Sequence, residues 1–206
     1  MKPDKPATPI DAMFLDHERP LITRTFSDRK GAGRWTYIAA YHLASEHEQR
    51  QAEDEIFAYL AYDGKPMEEM FVFPKQVKNW SVNLANELSI EGKVVAYNWR
   101  TGEAFQAGES FALPAFPDLY DYAYFVFAPV FGNGIALIGE TGKFVTMSDP
   151  RFLEIEESDD GVRVRIAGVP GEEVTIEAYD ADAGAMLKPV KLLVGAGGEA
   201  EGTISR

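Results

Sequence analysis

The sequence contains no cysteine and only three histidines among its 206 residues. Without cysteine the chain can form no disulfide, no thiolate-bound zinc or iron–sulfur site and no thiol nucleophile. No apolar run approaches the roughly 18 residues that a membrane-spanning helix needs, and residues 1–9 lack the apolar stretch of a secretory signal. We therefore expect no metal, no cofactor and no membrane partner, and we expect a cytoplasmic location.

Basic side chains are also scarce, 20 against 33 acidic ones, which gives a formal net charge of −13. This charge opposes nonspecific attraction to nucleic acid, so we expect no nucleic-acid partner. Residues 1–102 carry 15 acidic and 13 basic side chains, whereas residues 103–206 carry 18 and 7. We interpret the second half as the solvent-facing side and the nearly neutral first half as the better candidate for a partner surface. The acidic cluster at 154–160 lacks the spacing of a calcium loop and indicates a strand edge followed by a hairpin turn.

Alternation with a period of two dominates the chain and predicts β-strands. Turn signals separate the alternating segments at the roughly 8–12-residue spacing typical of a sandwich or barrel. Hydrophobic residues make up 46% of the sequence, enough to bury a sizeable core. We predict an all-β protein, an antiparallel two-layer β-sandwich of many short strands joined by hairpin turns. The predicted strands are 21–26, 35–43, 55–62, 69–73, 80–84, 93–98, 103–106, 122–127, 135–139, 143–147, 152–157, 162–167, 174–179 and 186–194.

Proline marks the predicted domain organisation. Pro3, Pro6 and Pro9 favour extended backbone, so we predict that residues 1–10 are a linker or entry segment. We predict that residues 11–206 form the β-sandwich domain. A sub-boundary near residue 149 is the alternative, but few large core residues follow it, which favours late strands that join earlier sheets.

Two motifs that resemble catalytic signatures fail on their details. Residues 139–143, Gly-Glu-Thr-Gly-Lys, resemble the end of a phosphate-binding loop, but position 137 is Leu instead of Gly. In addition, Phe follows Lys143, and the pattern predicts a strand there instead of a helix. We interpret this segment as a hairpin turn. Residues 108–112, Gly-Glu-Ser-Phe-Ala, lack the second Gly of the Gly-x-Ser-x-Gly pattern of serine hydrolases.

One cluster of metal-ligand residue types remains, formed by His42, Glu46, His47 and Glu48. A His pair five residues apart does not share a helix face as an i, i+4 pair does, so a polar hairpin is the simpler interpretation. An autonomous metal-dependent enzyme that uses His42 and His47 stays as an alternative. No acid lies in an apolar context that would raise its pKa, so we assign no catalytic and no metal-binding residue.

Aromatic side chains are the remaining resource for binding, with three Trp, nine Tyr and thirteen Phe. Trp99 is distinctive because the segment Asn-Trp-Arg-Thr-Gly at 98–102 places it at the entrance of a turn. We therefore predict Trp99 and Arg100 as candidate contacts for a carbohydrate or for a partner domain. Other aromatic residues are expected to fill the core, among them Trp35, Tyr37, Phe57, Tyr59, Phe125 and Phe127.

Residues 94–103, Val-Val-Ala-Tyr-Asn-Trp-Arg-Thr-Gly-Glu, also carry a family resemblance. They resemble a late segment of glycoside hydrolases of the α-galactosidase and raffinose synthase (seed imbibition protein) type, in which a strand enters an (Asp/Asn)-aromatic-x-Thr-Gly-Glu turn. The Gly-rich segment 131–139 and the two strands within 151–168, joined by an Asp-Gly turn, are similar in order. Upstream, residues 11–26 are similar to the segment in which that chain leaves the catalytic barrel. The resemblance covers about residues 6–180.

This resemblance implies a noncatalytic, C-terminal accessory β-sandwich that packs against a (β/α)8 catalytic barrel, in cis or as a separate chain. The family's catalytic carboxylates lie in that barrel, which no segment here matches, so no catalytic residue is carried over. At 147–150 the chain has Met-Ser-Asp-Pro where plant members have an Asn-Ser-Gly-Gly type of stretch, so substrate identity is not carried over either. The alternative is a free-standing carbohydrate-binding module that binds an oligosaccharide through Trp99 and neighbouring Tyr residues. Whether the chain is itself an enzyme stays open.

Overall fold

The computed structural model describes residues 8–9, 20–41, 80–114 and 122–206. Of these residues, 57% lie in β-strands, and the sheets are antiparallel and do not close into a barrel. The predicted all-β antiparallel sandwich is therefore confirmed. None of the described residues forms a helix that could span a bilayer.

The largest sheet has six strands and is built around a long hairpin, in which Leu21 pairs with Tyr41 and Arg29 pairs with Gly33. Gly31 and Gly33 turn the chain at its tip with φ of 80° and 113°, a region that favours glycine. In spatial order the strands are β1 (Thr8–Pro9), β2 (Leu21–Arg29), β3 (Gly33–Tyr41), β8 (Tyr122–Pro129), β5 (Val94–Asn98) and β6 (Ala104–Ala107).

The second half of the chain supplies two smaller sheets. One contains β10 (Phe152–Ser158), β11 (Gly161–Ala167) and β15 (Glu199–Ile204), with β11 in the centre. In the other, β12 pairs with each of its neighbours, and the members are β9 (Ile135–Gly139), β12 (Glu173–Asp180), β13 (Ala185–Met186) and β14 (Val190–Leu193). A separate two-stranded ribbon consists of β4 (Ser81–Asn83) and β7 (Ser110–Ala112).

The main core lies between the six-stranded sheet and the sheets of the second half. Trp35 is fully buried there, and its Nε1 donates a hydrogen bond to the Leu137 carbonyl oxygen at 2.6 Å. Residues on both sides of position 149 share this core. Its large members include Trp35, Tyr37, Val126, Leu137, Met147, Phe152, Val164, Ile166, Ile176 and Ile204.

A second core covers the opposite face of the six-stranded sheet. Phe111 of the β4–β7 ribbon meets Phe125 and Phe127 edge-on, with ring centroids 4.6 and 5.4 Å apart. Because both faces of the sheet are covered, the side chains of β5 and β8 are buried almost without alternation. This two-sided burial explains the near-continuous apolar sequences of these strands.

Most predicted strands in the described residues are present, and the differences have physical causes. The predicted strand at 143–147 is wrong, because that segment forms turns and bends with no ladder partner. The predicted strand at 186–194 is interrupted between β13 and β14. Strand β15 was not predicted, because its sequence EAEGTI has one large apolar residue, Ile204. Strands predicted at 55–62 and 69–73 lie outside the described residues.

Candidate functional site

Trp99 and Arg100, the two predicted contact residues, lie in the turn that follows β5. The Asn98 side chain shapes this turn, because its Oδ1 accepts hydrogen bonds from the backbone N of Arg100 at 3.0 Å and of Thr101 at 3.4 Å. The Gly102 backbone N closes the turn on the Asn98 carbonyl oxygen at 2.8 Å. Local Asn and Gly chemistry thus holds Trp99 at a defined position.

Trp99 packs against two aromatic rings to form what we call the aromatic cluster: Trp99, Tyr124 and Phe144. The indole stacks on Phe144 with centroids 4.3 Å apart and planes inclined by 24°. Tyr124 meets both rings edge-on, at 6.3 Å from Trp99 and 5.4 Å from Phe144. Stacked and edge-to-face pairs are both attractive geometries. Phe144 is nevertheless 54% exposed, so the cluster presents an aromatic ring to solvent.

Further aromatic side chains continue from the cluster along the rim of the sheet. Tyr122 lies two residues before Tyr124 on β8 and therefore on the same face. Tyr41 is its direct cross-strand partner, and both rings are 38% exposed. The Arg100 guanidinium lies 4.7 Å from the centre of the Tyr122 ring and donates to the Tyr122 carbonyl oxygen at 2.8 Å. We call the aromatic cluster together with Tyr41, Tyr122 and Arg100 the aromatic surface.

The loop that carries Phe144, residues 140–151, is fastened by side chains instead of by a β-ladder. Trp99 Nε1 donates to the Lys143 carbonyl oxygen at 3.2 Å, and the Tyr124 hydroxyl donates to the Phe144 carbonyl oxygen at 2.7 Å. Burial raises the pKa of Tyr124, so its hydroxyl stays protonated and remains a donor. The aromatic cluster therefore anchors the backbone on which Phe144 is displayed.

Two buried side chains hold the same loop from the core side. Arg29 donates to the Met147 carbonyl oxygen through Nε at 3.1 Å and Nη2 at 2.6 Å, and to Asp149 Oδ1 at 2.6 Å. The Tyr37 hydroxyl accepts a hydrogen bond from the Met147 backbone N at 3.1 Å. Burial raises the pKa of Tyr37, which keeps this phenol neutral in the core.

Arg151 ties the end of the loop to the neighbouring turn. Its Nε donates to Glu140 at 3.1 Å, its Nη2 to Glu172 at 2.5 Å, and its Nη1 to the Ala167 carbonyl oxygen at 2.7 Å. The Arg151 guanidinium lowers the pKa of Glu172 to about 2. Glu172 is thus held ionised, which suits a structural ion pair and not a general acid.

A second candidate is an open polar hollow of about 610 Å³ at the other end of β9. Two of its carboxylates already have partners: Glu157 accepts from the Asn133 backbone N at 2.7 Å, and Asp182 accepts from Arg206 at 2.5 Å. Within the described ranges, no group of three or more Asp, Glu or His side chains is placed to hold a metal ion. The lining residues are Gly132, Asn133, Glu157, Ser158, Asp159, Asp182 and Arg206.

Both predicted contact residues, Trp99 and Arg100, lie on the aromatic surface, but the sequence did not predict their aromatic neighbours. Phe144 was assigned to a strand, and Tyr41, Tyr122 and Tyr124 carried no signal that separated them from core aromatics. The aromatic surface also combines residues of both halves of the chain, whereas the charge distribution favoured the first half. The candidate ligands His42, Glu46, His47 and Glu48 lie outside the described residues.

Comparison of the chain with protein-family models finds no matching family, and comparison with curated proteins finds no matching sequence. The function is therefore inferred from the geometry of the aromatic surface and from the resemblance carried by residues 94–103.

Proposed function

We propose that this chain is a noncatalytic accessory β-sandwich of a glycoside hydrolase of the α-galactosidase and raffinose synthase type, and that its aromatic surface packs against the (β/α)8 catalytic barrel. The observation that carries the proposal is the position of Phe144. Its ring is 54% exposed, although the loop beneath it is held by Arg29, Trp99, Tyr124 and Arg151.

A ring displayed in this way gains free energy when a partner covers it. Fully burying an exposed Phe side chain contributes about 2 kcal/mol, and Phe144 has about half of its surface left to bury. The ring is already ordered by stacking on Trp99, so a partner would immobilise little additional side-chain freedom. Tyr, Trp and Arg are also the residue types that dominate the energetic centres of protein interfaces. The aromatic surface has this composition.

The resemblance supports the choice of the barrel as the partner. Trp99 and Arg100 belong to the turn at 98–103 on which the resemblance rests, and this same turn supports Phe144. The sandwich would therefore use its most family-like turn at the contact with the catalytic domain.

The free-standing carbohydrate-binding module receives less support from the geometry. Trp99 already stacks one ring face on Phe144 and donates its Nε1–H to the Lys143 carbonyl oxygen. A sugar that stacks on an indole needs an open ring face. Phe144 and Tyr122 would then have to supply the stacking surface.

The proposal is tested by finding the barrel and measuring its binding to this chain. We expect the gene, or its neighbour, to encode a (β/α)8 domain, and we expect the two purified parts to associate in sedimentation velocity and calorimetry. Phe144→Ala should weaken the association at least about tenfold. Phe105→Ala is the matched control, since Phe105 is 41% exposed on edge strand β6 and stacks on Phe111 of the ribbon.

Three results would contradict the proposal. These are a genomic region without any barrel, association that Phe144→Ala and Phe105→Ala change equally, and no association at all. A parallel titration with galactosides and other oligosaccharides identifies the alternative: saturable heat that Phe144→Ala abolishes would assign the surface to carbohydrate instead.

A further inference from the structure

Gly134 follows Asn133 directly. In an Asn-Gly dipeptide the asparagine side chain is most easily attacked by the backbone nitrogen of the next residue. Glycine has no Cβ to hinder its backbone nitrogen, so this nitrogen can reach the side-chain carbonyl carbon of the preceding residue. We propose that Asn133 is a deamidation site that the folded protein holds inactive and that opens to modification when the β10–β11 turn separates from it.

The reaction needs only the chain and water. The Gly134 nitrogen loses its proton and forms a bond to Asn133 Cγ. The Cγ–Nδ2 bond then breaks, and the NH2 group takes up one proton and leaves as ammonia. The resulting five-membered imide is opened by one water molecule, which leaves aspartate or isoaspartate at position 133. Asn133 lines the open polar hollow, so solvent for the second step is at hand.

The fold blocks the first step at the nucleophile. The Gly134 backbone N donates a hydrogen bond to the Phe131 carbonyl oxygen at 3.0 Å, so its proton is held within a tight turn and is not free to leave. Gly134 itself has a φ of 81°, a conformation fixed by the turn. The Asn133 backbone N is held as well, by Glu157 Oε1 at 2.7 Å.

The fold also blocks the group that must be attacked. Asn133 Nδ2 donates to the Ser158 and Gly161 carbonyl oxygens, each at 3.0 Å, and Oδ1 accepts from the Ile135 backbone N at 3.0 Å. The side-chain amide therefore uses both its ends to join β9 to the β10–β11 hairpin. It cannot rotate onto Gly134 N until these bonds break.

Modification removes the bond that protected the residue. The side chain of an aspartate at 133 has no N–H, so it would place a carboxylate oxygen against the carbonyl oxygens of Ser158 and Gly161. Glu157, Asp159 and Asp182 line the same hollow, where Arg206 is the cationic side chain, and the new charge adds to this acidic surrounding. The opened turn would not close again in its original form. The modified residue therefore marks those molecules in which this turn has opened.

The experiment compares the folded protein with the same protein in concentrated urea, both kept in mildly alkaline buffer. Peptide mapping by mass spectrometry follows the replacement of the side-chain NH2 by OH at each asparagine. We expect Asn133 to convert at least about tenfold faster in urea than in the folded protein, because local opening limits the folded rate. Asn83 and Asn98, which precede Leu84 and Trp99, serve as internal controls and should stay slow in both conditions.

A matched pair of variants tests, under native conditions, whether these hydrogen bonds slow the reaction. Glu157→Ala removes the acceptor of the Asn133 backbone N. Conversion of Asn133 should become at least about threefold faster, which corresponds to the free energy of one lost hydrogen bond. Glu156→Ala changes the neighbouring residue, whose carboxylate pairs with Arg163, and should leave the rate at the wild-type value.

Equal rates in the folded and urea-unfolded protein would overturn the proposal. So would a Glu157→Ala variant that converts no faster than Glu156→Ala while both keep the wild-type circular dichroism spectrum. The Asn133→Asp variant gives the second readout: faster hydrogen exchange in 158–161 supports the proposal, and unchanged exchange contradicts it.

Discussion

Arg29 and Met147 are joined by two hydrogen bonds, in which the Arg29 Nε and Nη2 atoms donate to the Met147 carbonyl oxygen at 3.1 and 2.6 Å. The two residues are 118 positions apart in the sequence. Arg29 is 7% exposed at the end of β2, whereas Met147 belongs to the loop that presents Phe144. The contact therefore connects the first hairpin of the sandwich with the candidate site.

We expect Arg29→Ala to lower the free energy of unfolding by about 2 to 4 kcal/mol. The substitution leaves the Met147 carbonyl oxygen without its two donors and removes the ion pair with Asp149. Urea denaturation followed by circular dichroism measures the change. Arg34→Ala is the control, since Arg34 forms an exposed pair with Asp28 at 2.7 Å and should cost less than about 1 kcal/mol. Equal losses in the two variants would contradict the structural role of Arg29.

The pair of Arg151 and Glu172 predicts a dependence of stability on pH. The folded-state pKa of Glu172 is about 2, below its ordinary value of 4.5. The stabilisation is therefore present above pH 4.5 and is lost as the pH falls from 4.5 toward 2. We expect Glu172→Gln to be less stable than the wild type at pH 7, with the difference narrowing through this range.

The comparison with Glu173→Gln isolates this effect from the titration of other acids. Glu173 is the next residue and forms an exposed pair with Lys191 at 2.7 Å. Thermal unfolding is measured from pH 7 to pH 2. The difference in melting temperature from the wild type should depend on pH for Glu172→Gln and should stay nearly constant for Glu173→Gln. A constant gap for both variants would show that Glu172 is not held ionised by Arg151.

Gly139 marks where the loop passes close to β9. Its φ is 99°, and a Cβ there would overlap the Thr146 carbonyl oxygen and approach the Met147 Sδ. Gly171 has a similar φ of 84° but has nothing within 4 Å of a Cβ. We expect Gly171→Ala to cost about 1 kcal/mol from backbone strain alone. Gly139→Ala should lower the free energy of unfolding by at least about 2 kcal/mol more than Gly171→Ala does. Similar urea denaturation midpoints for the two variants would contradict the close approach of residues 146–147 to Gly139.

The outer face of the three-stranded sheet carries a ladder of charges that centres on β11. Arg163 pairs with Glu156 and Glu201, and Arg165 pairs with Glu154 and Glu199. The acidic surplus of the second half is thus partly neutralised on this face.

Replacing both arginines by serine should lower the melting temperature, because four carboxylates would then face one another without cations. The loss should shrink in about 1 M NaCl, where the Debye length is about 3 Å. Lys191→Ser, which breaks one isolated exposed pair, is the control and should show little salt dependence. A loss that salt leaves unchanged would indicate a packing role for the arginine side chains.

The strand pattern of the described residues was largely predictable, and its failures are instructive. Strand β9 was predicted with its observed bounds, Ile135–Gly139, because five apolar or small residues stand between two turns. Segment 143–147 is also rich in apolar residues, with Phe144, Val145 and Met147, yet it forms no ladder. Several of its backbone groups are instead bonded by the side chains of Arg29, Tyr37 and Tyr124, whose approach depends on tertiary contacts.

Only part of the candidate site was predictable for the same reason. The turn chemistry of residues 98–102 located Trp99 and Arg100, since the signal is local. Tyr41 and Tyr122 become neighbours because β3 pairs with β8, a register between segments that are far apart in sequence. No local pattern distinguishes an exposed tyrosine at the end of such a strand from a buried one.

The amino-acid sequence by itself determined the all-β class, the positions of most strands and turns, the lack of cysteine chemistry and the acidic second half. These properties depend on local period, turn residues and composition. Only the tertiary structure decided that both faces of the six-stranded sheet are covered, that the 140–151 loop is held by side chains as distant in sequence as Arg29, and that Trp99 stacks on Phe144. The physical reason is that these features arise from contacts between residues separated by tens of positions, whose geometry exists only once the strands have paired.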